Sequence, residues 1–386
     1  MVRLLISAAE GSGDAHAANL VREVRRRRPD VEFAGFGGQL LAAAGCHLDE
    51  DLVSYASMGL GFLAHLRHYL RVIRTFDRRL REPRPAAVIL VDSPGLHFIF
   101  ARLARWAGVP VVYYICPQIW AWAPWRRSKV IKYTDLLLAI LPFEEGLYRN
   151  PRVPVTCVGH PLGDSLALVP PDAGRDIRSS LRIPAAAQVI GILPGSRSHE
   201  VEELMPTLRG IVDLMDLDPR RHRLLISSFS ESFRGTIEDA LLGCRIPHEV
   251  LAADPRAIIL ASDFVLVKSG TVTLEAAYFE KPMIVLYGSN PFRRFLSSLF
   301  LVPPYFALPN ILGASLFDGE PTVLERLCRK REAVELAPMA RALLDPGPAR
   351  DGARERLRRL KESTFAPGAA ARAADALLGF LGRSGA

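Results

Sequence analysis

The chain alternates between short apolar runs and longer segments in which apolar residues recur at helical spacing. Because strands that alternate with helices are typical of βαβ units, the pattern predicts parallel sheets covered by helices. The predicted strands are Arg3–Ser7, Val31–Gly35, Ala87–Val91, Val111–Tyr114, Leu136–Ile140, Thr156–Val158, Val189–Leu193, Arg223–Ile226, Phe264–Lys268 and Met283–Leu286. The predicted helices are Ala15–Arg28, Leu60–Leu80, Ile99–Ala107, Glu200–Met215, Glu231–Leu242, Thr271–Phe279 and Thr322–Arg331.

A turn-rich stretch at Val169–Gly174 separates two halves that show the same alternation. A chain of 386 residues is too long for one ordinary domain. We therefore predict an α/β protein with two Rossmann-like, doubly wound parallel-sheet domains, residues 1–168 and 169–349, and a helical C-terminal segment, residues 350–386. Open α/β sheets bind ligands at the carboxyl ends of their strands, so we expect the site in a central cleft that both domains face.

Composition, net charge and cysteine spacing exclude several classes of protein. Hydrophobic residues make up 49% and charged residues 23%, which excludes a disordered or fibrous chain. The net charge of +8 favours an anionic partner, such as nucleic acid, an anionic membrane or a phosphorylated substrate, although solvated helix faces also explain much of it. Five widely spaced cysteines without a CxxC pair argue against a disulfide framework or a zinc site. With no apolar run near ~20 residues, we expect a cytoplasmic protein.

Two segments of the first half place polar groups at the ends of predicted strands. The apolar strand Ala87–Val91 delivers Asp92, followed by a Pro-Gly turn, and a carboxylate at that position is well placed to be a general base. A capping or turn aspartate is the structural alternative. The turn Ala9–Asp14 is glycine-rich and leads into a helix, where backbone N–H groups can meet an anion or a hydroxyl. It lacks the complete dinucleotide fingerprint, and Asp14 could simply cap the helix.

Two turns of the second half have the chemistry of a diphosphate site. Leu193–Arg197 ends a strand with the backbone donors of Gly195 and Ser196 and the cationic fork of Arg197. Ser269, Gly270 and Thr271 follow another strand and open a helix, and Glu275, one turn later, can accept both hydroxyls of a ribose. Ordinary capping turns are the alternative, but two such turns in one domain make coincidence a weaker explanation.

Apolar side chains lie in an amphipathic helix and in an aromatic loop. The helix Leu60–Leu80 has an apolar stripe among many arginines, formed by Leu63, Leu66, Leu70 and Ile73, which is typical of a core-facing stripe. A basic amphipathic helix can also lie on an anionic membrane, and Phe62 and Tyr69 keep that alternative open. The loop Pro117–Trp122 includes Trp120 and precedes Arg126. Aromatic rings with a polar edge suit sugars or membrane interfaces, although packing is their commoner role.

Together these motifs resemble the lipid-A-disaccharide synthase family. The matching stretches occur in family order up to about residue 315, and only their combination is specific. They are Ala9–Asp14, Ser57–Gly59, Val91–Pro94, Pro117–Trp122, Leu141–Glu144, Gly159–Pro161, Leu193–Arg197 with Glu200, Ser269–Glu275 and Leu308–Asn310.

The resemblance implies a GT-B fold and an inverting glycosyltransferase. Such enzymes join UDP-2,3-diacylglucosamine to 2,3-diacylglucosamine 1-phosphate, release UDP and form the β-1,6-linked disaccharide of lipid A. It implies no cofactor and no required metal, a peripheral location at the cytoplasmic face of the inner membrane, and no nucleic-acid partner. The oligomeric state is open between a monomer and a homodimer.

The resemblance also implies roles for individual residues. Asp92 is the catalytic base toward the 6-hydroxyl of the acceptor. The donor-binding residues are Gly195, Ser196, Arg197, Ser269, Gly270, Thr271, Glu275 and Asn310. The acceptor-side residues are Glu10, Ser12, Asp14, Trp120 and Arg126, and the membrane-contact residues are Phe62, Leu63, Leu66 and Leu70.

The chain departs from the family pattern at several positions. After Asp92 the family often has a second carboxylate and an amide, where this chain has Gly95 and His97. Phe62 replaces a glutamate, Ala123 an arginine, and Gly319–Val323 keeps only the glutamate of its motif. These changes concern the acceptor more than the fold or the donor class.

Other functions fit parts of the sequence. A nucleotide-sugar epimerase shares the two-domain architecture and a diphosphate site, but needs no lipid-facing basic helix. A relative that binds lipid or phosphate without catalysis is a second alternative, which the retained Asp92, Arg197 and Glu275 oppose. Nucleic-acid binding rests on charge alone, because no recognition motif is present.

Overall fold

The computed structural model describes residues 2–57, 62–117, 119, 124–288, 305–314, 319–328 and 332–383, and the side chains of residues 55–57 and 62–66 lie outside that description. The chain forms two compact units. Unit 1 comprises Met1–Asp164 and Ala366–Ala386, and unit 2 comprises Ser165–Phe365. The segment expected as a single C-terminal tail is therefore divided between the two units.

Unit 1 is built on a seven-stranded parallel sheet with the strand order β3-β2-β1-β4-β5-β6-β7. Its strands are β1 Val2–Ala8, β2 Val31–Gly37, β3 Cys46–Asp51, β4 Ala87–Val91, β5 Val111–Tyr114, β6 Leu136–Ala139 and β7 Val155–Cys157. The order reverses between β1 and β4, where Ala8 pairs with Val91. The segments that follow these two strands therefore leave the sheet side by side, at the point where open α/β sheets bind ligands.

Helices cover the sheet of unit 1. They are α1 Gly11–Arg27, α2 Gln39–Ala43, α3 Leu52–Ser57, α4 Phe62–Arg79, α5 Pro94–Trp106, α6 Arg127–Tyr133, α7 Pro142–Tyr148 and α8 Leu162–Leu166. The rings of Phe76 and Phe100 stack at 3.8 Å between α4 and α5 and pack against Phe36 of β2. This buried aromatic cluster fixes α5, and with it the segment that follows β4, against the sheet.

Unit 2 repeats the architecture with a six-stranded parallel sheet, ordered β10-β9-β8-β11-β12-β13. Its strands are β8 Gln188–Leu193, β9 His222–Ser227, β10 His248–Leu251, β11 Phe264–Lys268, β12 Met283–Tyr287 and β13 Leu324–Leu327. Its helices are α9 Ala173–Ser180, α10 Ser198–Leu214, α11 Glu231–Ala240, α12 Pro255–Ala261, α13 Val272–Tyr278, α14 Leu308–Gly313, α15 Glu332–Leu344 and α16 Pro348–Thr364. The order reverses between β8 and β11, so the two predicted anion turns leave adjacent strands.

The last helix, α17 Ala369–Arg383, packs on unit 1. Asp164 caps its amino terminus, because its carboxylate accepts hydrogen bonds from the backbone N–H groups of Gly368 (2.5 Å), Ala369 (3.2 Å) and Ala370 (3.0 Å). Farther along α17, Asp375 pairs with Arg27 of α1 at 2.7 Å. A carboxylate at a helix amino terminus satisfies orphan donors and the helix dipole, so this cap anchors the end of the chain.

Three strands escaped the sequence pattern, and all three lie at sheet edges. They are β3, β10 and β13, with the sequences CHLDED, HEVL and LERL. An edge strand is not buried on both faces, so it needs no continuous apolar run. The helix predicted over Thr322–Arg331 is wrong, because residues 324–327 form β13 and pair with β12. Pro94 and Gly95 form the first turn of α5 rather than a Pro-Gly turn, since proline is favoured at the first helical position.

Candidate functional site

Asp92 lies directly after β4 in a constrained backbone conformation. Asp92 and Ser93 both have positive φ angles, 53° and 46°. The carbonyl oxygen of Asp92 accepts a hydrogen bond from the hydroxyl of Tyr113 and one from Nδ1 of His97, each at 2.7 Å. Left-handed non-glycine residues persist only where the surroundings hold them, and these two bonds do so here.

His97 is a neutral side chain that holds the backbone of Asp92 in place through hydrogen bonds. Its ring is fully buried, and burial lowers its pKa to about 4, so the imidazole is neutral at physiological pH. Because a carbonyl oxygen only accepts, Nδ1 carries the proton and Nε2 accepts from the hydroxyl of Ser7 at 3.0 Å. The histidine that departs from the family pattern therefore connects β1 to the carbonyl of Asp92.

The carboxyl group of Asp92 has an unusual proton affinity. Burial raises its pKa to about 6, and the negative charge of Glu10 adds to the rise. Glu10 follows β1 and is connected to the same segment, because its Oε1 accepts a hydrogen bond from Ser93 Oγ at 3.3 Å. A carboxylate with a raised pKa that is still ionised at neutral pH is suited to general base catalysis.

The other predicted acceptor-side residues of α1 differ in environment. Ser12 is exposed at the first turn of the helix. Asp14 is buried, and its carboxylate accepts hydrogen bonds from the backbone N–H groups of Gly38 (2.6 Å) and Leu40 (3.0 Å) at the start of α2. A Cβ at residue 38 would lie 2.7 Å from this carboxylate, so the contact requires a glycine there. The geometry of Asp14 is that of a helix cap.

Unit 2 contains a pocket of about 500 Å³ at the carboxyl ends of four neighbouring strands. The turns after β8 and β11 form one part of its wall, with Gly195, Ser196, Gly270 and Thr271. The structure thus brings these four predicted donor residues together. Backbone N–H groups at the starts of α10 and α13 are suited to an anion placed there.

Glu200 organises the cationic part of this pocket. Its buried carboxylate pairs with Lys268 Nζ at 2.9 Å, accepts a hydrogen bond from the N–H of Ser196 at 3.1 Å and lies 3.6 Å from Arg197. Burial alone would raise the pKa of Glu200, but Lys268 and Ser196 outweigh it and the pKa is lowered. Gly195 has φ 128°, and a Cβ there would lie 2.6 Å from Glu200, so the turn depends on glycine.

Three predicted donor residues contact other partners. Arg197 precedes α10 with its side chain 67% exposed, outside the residues that line the pocket. Glu275 is held by Arg256 at 3.2 Å, and burial raises its pKa against the effect of that arginine. Ser269 Oγ donates to the carbonyl of Phe306 at 3.3 Å.

Asn310 is fully buried in α14 and serves the packing of unit 2. Its Nδ2 donates to the carbonyl of Val323 and to Glu325 Oε2, each at 3.0 Å, and its Oδ1 accepts from the N–H of Val323 at 2.8 Å. These bonds join α14 to Val323 and to Glu325 of β13. The side chain supports the fold of this region through all three contacts.

The remaining predicted residues are only partly described. Trp120 and Ala123 lie outside the described residues, as do the side chains of Phe62, Leu63 and Leu66. Leu70 of α4 is 44% exposed, and Arg126 lies in a short 3₁₀ turn before α6. No described helix is both long and apolar enough to cross a membrane. Within the same part of the chain, no group of three or more His, Cys, Asp or Glu side chains is arranged to hold a metal ion.

A larger pocket of about 750 Å³ lies in unit 1 where the strands of the sheet begin, at the end of the sheet opposite Asp92. Its three arginines already have partners: Arg3 pairs with Glu32 at 2.9 Å, Arg79 pairs with Asp49, and Arg25 donates to the carbonyl of Ala44 at 3.2 Å. Since ligands of open α/β sheets bind at the carboxyl ends, we assign no substrate to this pocket.

Sequence reasoning missed several residues of the unit 2 pocket. Lys268 was noted only as the last residue of a strand, and Ser228, Phe229, Ala252 and Ala253 were not singled out. Ser228 and Phe229 follow β9, and Ala252 and Ala253 follow the edge strand β10. Recognising β10 as a strand would have indicated that Ala252 and Ala253 lie at the carboxyl ends of the strands, where the two predicted turns also lie.

The chain is similar to proteins of known class. The family model described as lipid-A-disaccharide synthetase matches residues 4–337. Lipid-A-disaccharide synthase 1 of Legionella pneumophila (strain Lens) is 35% identical over 328 residues, which cover 82% of this chain and 83% of that protein. The lipid-A-disaccharide synthase of Anaeromyxobacter dehalogenans (strain 2CP-C) is 33% identical over 382 residues, covering 98% and 97%.

Solved structures extend the likeness to the fold. The crystal structure of Acinetobacter baumannii MurG matches with a TM-score of 0.60 and 13% identity over 98% of this chain and 100% of that one. At this identity the likeness concerns the fold alone. Two parallel-sheet α/β units with a helical C-terminal segment identify the fold as GT-B, as the sequence predicted.

Proposed function

The chain belongs to the lipid-A-disaccharide synthase family, and from that premise we propose that it transfers a diacylglucosamine unit from UDP to a phosphorylated diacylglucosamine acceptor. The donor is UDP-2,3-diacylglucosamine and the acceptor 2,3-diacylglucosamine 1-phosphate. The products are the β-1,6-linked disaccharide 1-phosphate and UDP. The single observation that carries the catalytic assignment is the constrained, partly buried carboxyl group of Asp92, with its pKa near 6.

The reaction is a single displacement with inversion at the anomeric carbon. Asp92 accepts the proton of the acceptor's 6-hydroxyl as that oxygen forms a bond to C1 of the donor sugar. The bond from C1 to the diphosphate oxygen breaks, and the electron pair leaves with UDP. The backbone N–H group of Gly270, with Lys268 and Arg197, stabilises the negative charge that develops on the diphosphate. Glu200 keeps Lys268 and the turn at Ser196 in place.

The raised pKa of Asp92 predicts the pH dependence of this reaction. A base must be unprotonated, so kcat/KM falls as the pH drops below about 6, the pKa of Asp92. The substitution Glu10→Gln removes the nearby negative charge that helps to raise this pKa. We therefore expect the acid limb of the kcat/KM profile to shift to lower pH in that variant, with part of the elevation retained because burial is the larger cause.

Glu32→Gln serves as the matched control for this pH profile. Glu32 pairs with Arg3 at the opposite edge of the sheet, so its substitution leaves the acid limb in place. An acid limb that is the same in Glu10→Gln and in the unsubstituted protein would contradict the assignment of Asp92 as the titrating base.

We further propose that α4 contacts an anionic membrane surface, where both lipid substrates reside. Tyr69 and Leu70 are each 44% exposed on this helix, and Arg67 and Arg74 are exposed with them. An apolar side chain that inserts among lipid headgroups favours membrane binding. Arginines that lie near anionic lipid favour it as well.

Vesicle sedimentation tests the membrane contact. The substitution Leu70→Asp removes apolar burial and adds a charge of the wrong sign, so we expect about tenfold weaker binding to vesicles that contain anionic lipid. Leu242→Asp, at a site in unit 2 that is 76% exposed, is the control and leaves binding unchanged. Equal losses in the two variants, or none in either, would count against α4 as the contact surface.

A further inference from the structure

The hydrogen bond from His97 to Asp92 connects two defined positions at the start of α5. Ser93 precedes the helix, Pro94 begins it, and His97 is its fourth residue. A side chain at the fourth helical position commonly packs against the residue before the cap, and so fixes the angle at which the chain enters the helix. Here the contact is polar, because Nδ1 of His97 donates to the carbonyl of Asp92 at 2.7 Å. The imidazole ring therefore fixes the direction in which the chain leaves β4.

The backbone at this junction adopts a conformation that needs support. Asp92 and Ser93 are consecutive non-glycine residues with positive φ angles, 53° and 46°. Such residues persist only where their surroundings determine the conformation. Two donors meet at the carbonyl oxygen of Asp92, the hydroxyl of Tyr113 and Nδ1 of His97. Loss of either donor allows the backbone to relax, and the carboxyl group of Asp92 moves with it.

The ring of His97 is itself held from several directions. Its Nε2 accepts a hydrogen bond from Ser7 Oγ of β1 at 3.0 Å. Its centroid lies 6.0 Å from that of Phe100 and 6.2 Å from that of Tyr113. Burial lowers its pKa to about 4, so the ring stays neutral at physiological pH. A neutral ring fixed in one tautomer presents its single N–H at one place.

The two ring nitrogens correspond to the amide nitrogens of two different side chains. Nδ1 is bonded to Cγ, as is the amide nitrogen of asparagine, so an asparagine at position 97 can present an N–H to Asp92 from the same place. The amide nitrogen of glutamine is one bond farther from the backbone, near the position of Nε2, and can reach Ser7 instead. The family often has an amide where this chain has His97. An amide and this imidazole therefore share a donor although they differ in side chain.

We propose that His97 is a positioning residue for the transfer reaction, whose Nδ1–H holds the carboxylate of Asp92 where the acceptor hydroxyl loses its proton. The proposal rests on the proposed function, because it takes Asp92 as the base. His97 itself neither contacts substrate nor transfers a proton. The departure from the family pattern at this position changes the side chain but keeps the donor.

Kinetics of three variants at position 97 separate the two ring contacts. His97→Gln and His97→Leu lose the bond to Asp92, and we expect kcat to fall about 10- to 100-fold, since a small displacement of a catalytic group costs about that much. His97→Asn keeps the donor and rescues most of the turnover. The affinity for UDP, measured by calorimetry, stays the same in all three variants, because the donor pocket lies in unit 2. Turnover is calculated per UDP-binding site, so that unfolded protein does not count as a loss of kcat.

His222→Leu is the matched control. His222 is also buried, 3% exposed, and it lies at the start of β9, at the end of the strand opposite the pocket. Its Nδ1 bonds to the backbone of Asp218, so the substitution lowers the melting temperature but leaves kcat unchanged. If His97 were merely structural, its variants would follow this pattern. Should His97→Leu not fold, the comparison of His97→Asn with His97→Gln decides the question, because both keep a polar side chain.

The tautomer of His97 provides a test that does not depend on turnover. In protein labelled with ¹⁵N-histidine, the ring signals that disappear in His97→Asn are expected to show Nδ1 protonated and Nε2 unprotonated at neutral pH. The opposite tautomer, or a normal kcat in His97→Gln, would overturn the positioning role alone. A protein that forms no disaccharide at all would remove the proposed function, and the positioning role with it.

Discussion

Asp92→Asn is expected to lower kcat by about 10²- to 10⁴-fold, the usual contribution of a general base. Asparagine keeps the size of the side chain and tolerates the left-handed backbone that Asp92 adopts, with φ 53°. The hydrogen bonds from Tyr113 and His97 go to the backbone carbonyl and are retained. The loss is therefore expected in turnover, measured as disaccharide formed from radiolabelled UDP-diacylglucosamine and lipid monosaccharide phosphate.

Two further measurements separate chemistry from folding in this variant. The melting temperature and the affinity for UDP stay close to those of the unsubstituted protein, because the donor pocket lies in the other unit. Asp30→Asn, which alters an exposed aspartate near the start of β2, is the matched control and keeps full activity. Full turnover in Asp92→Asn would remove the proposed mechanism.

Arg197→Ala is expected to raise the KM for the donor by about 10- to 100-fold, the effect of losing a hydrogen bond to a charged group. Its guanidinium is 67% exposed beside the turn at Ser196, so the substitution leaves little strain in the fold. Arg197→Lys keeps the charge but not the fork, and we expect intermediate values. Initial rates at varied donor and at varied acceptor concentrations measure the two constants separately.

The control for this prediction is Arg175→Ala. Arg175 is 80% exposed on α9 in the same unit, where it pairs with Asp172 at 2.5 Å. Its removal leaves both KM values unchanged. If Arg197→Ala raised the KM for donor and acceptor equally, the arginine would not belong to the donor site.

The buried strands were predictable because each is apolar over its whole length. Ala87–Val91, Val111–Tyr114 and Phe264–Lys268 were predicted with the bounds that the structure has. A strand buried on both faces of a parallel sheet must be continuously apolar, so its sequence alone identifies it. The edge strand β13 escaped and was taken for part of a helix, since its sequence LERL exposes polar side chains.

The residues of the candidate site likewise fall into those that the sequence identifies and those that it does not. Gly195, Ser196, Gly270 and Thr271 were identifiable because glycine and hydroxyl residues after an apolar strand indicate a turn with free N–H groups. Phe229 follows another strand without such a sequence signal. A phenylalanine in a loop is as readily a packing residue, and only its exposure at the pocket distinguishes it.

By itself the sequence determined the class of fold and the position of Asp92 at the end of a buried strand, because hydrophobic periodicity and local turn chemistry are properties of neighbouring residues. The family followed from the resemblance that its motifs carry together. The tertiary structure decided what long-range contacts create. It made Asp14 a cap for α2, gave Asp92 its raised pKa through burial and Glu10, and paired Glu200 with Lys268. These properties depend on groups far apart in the chain, and burial and electrostatic interactions between them exist only once the sheets are formed.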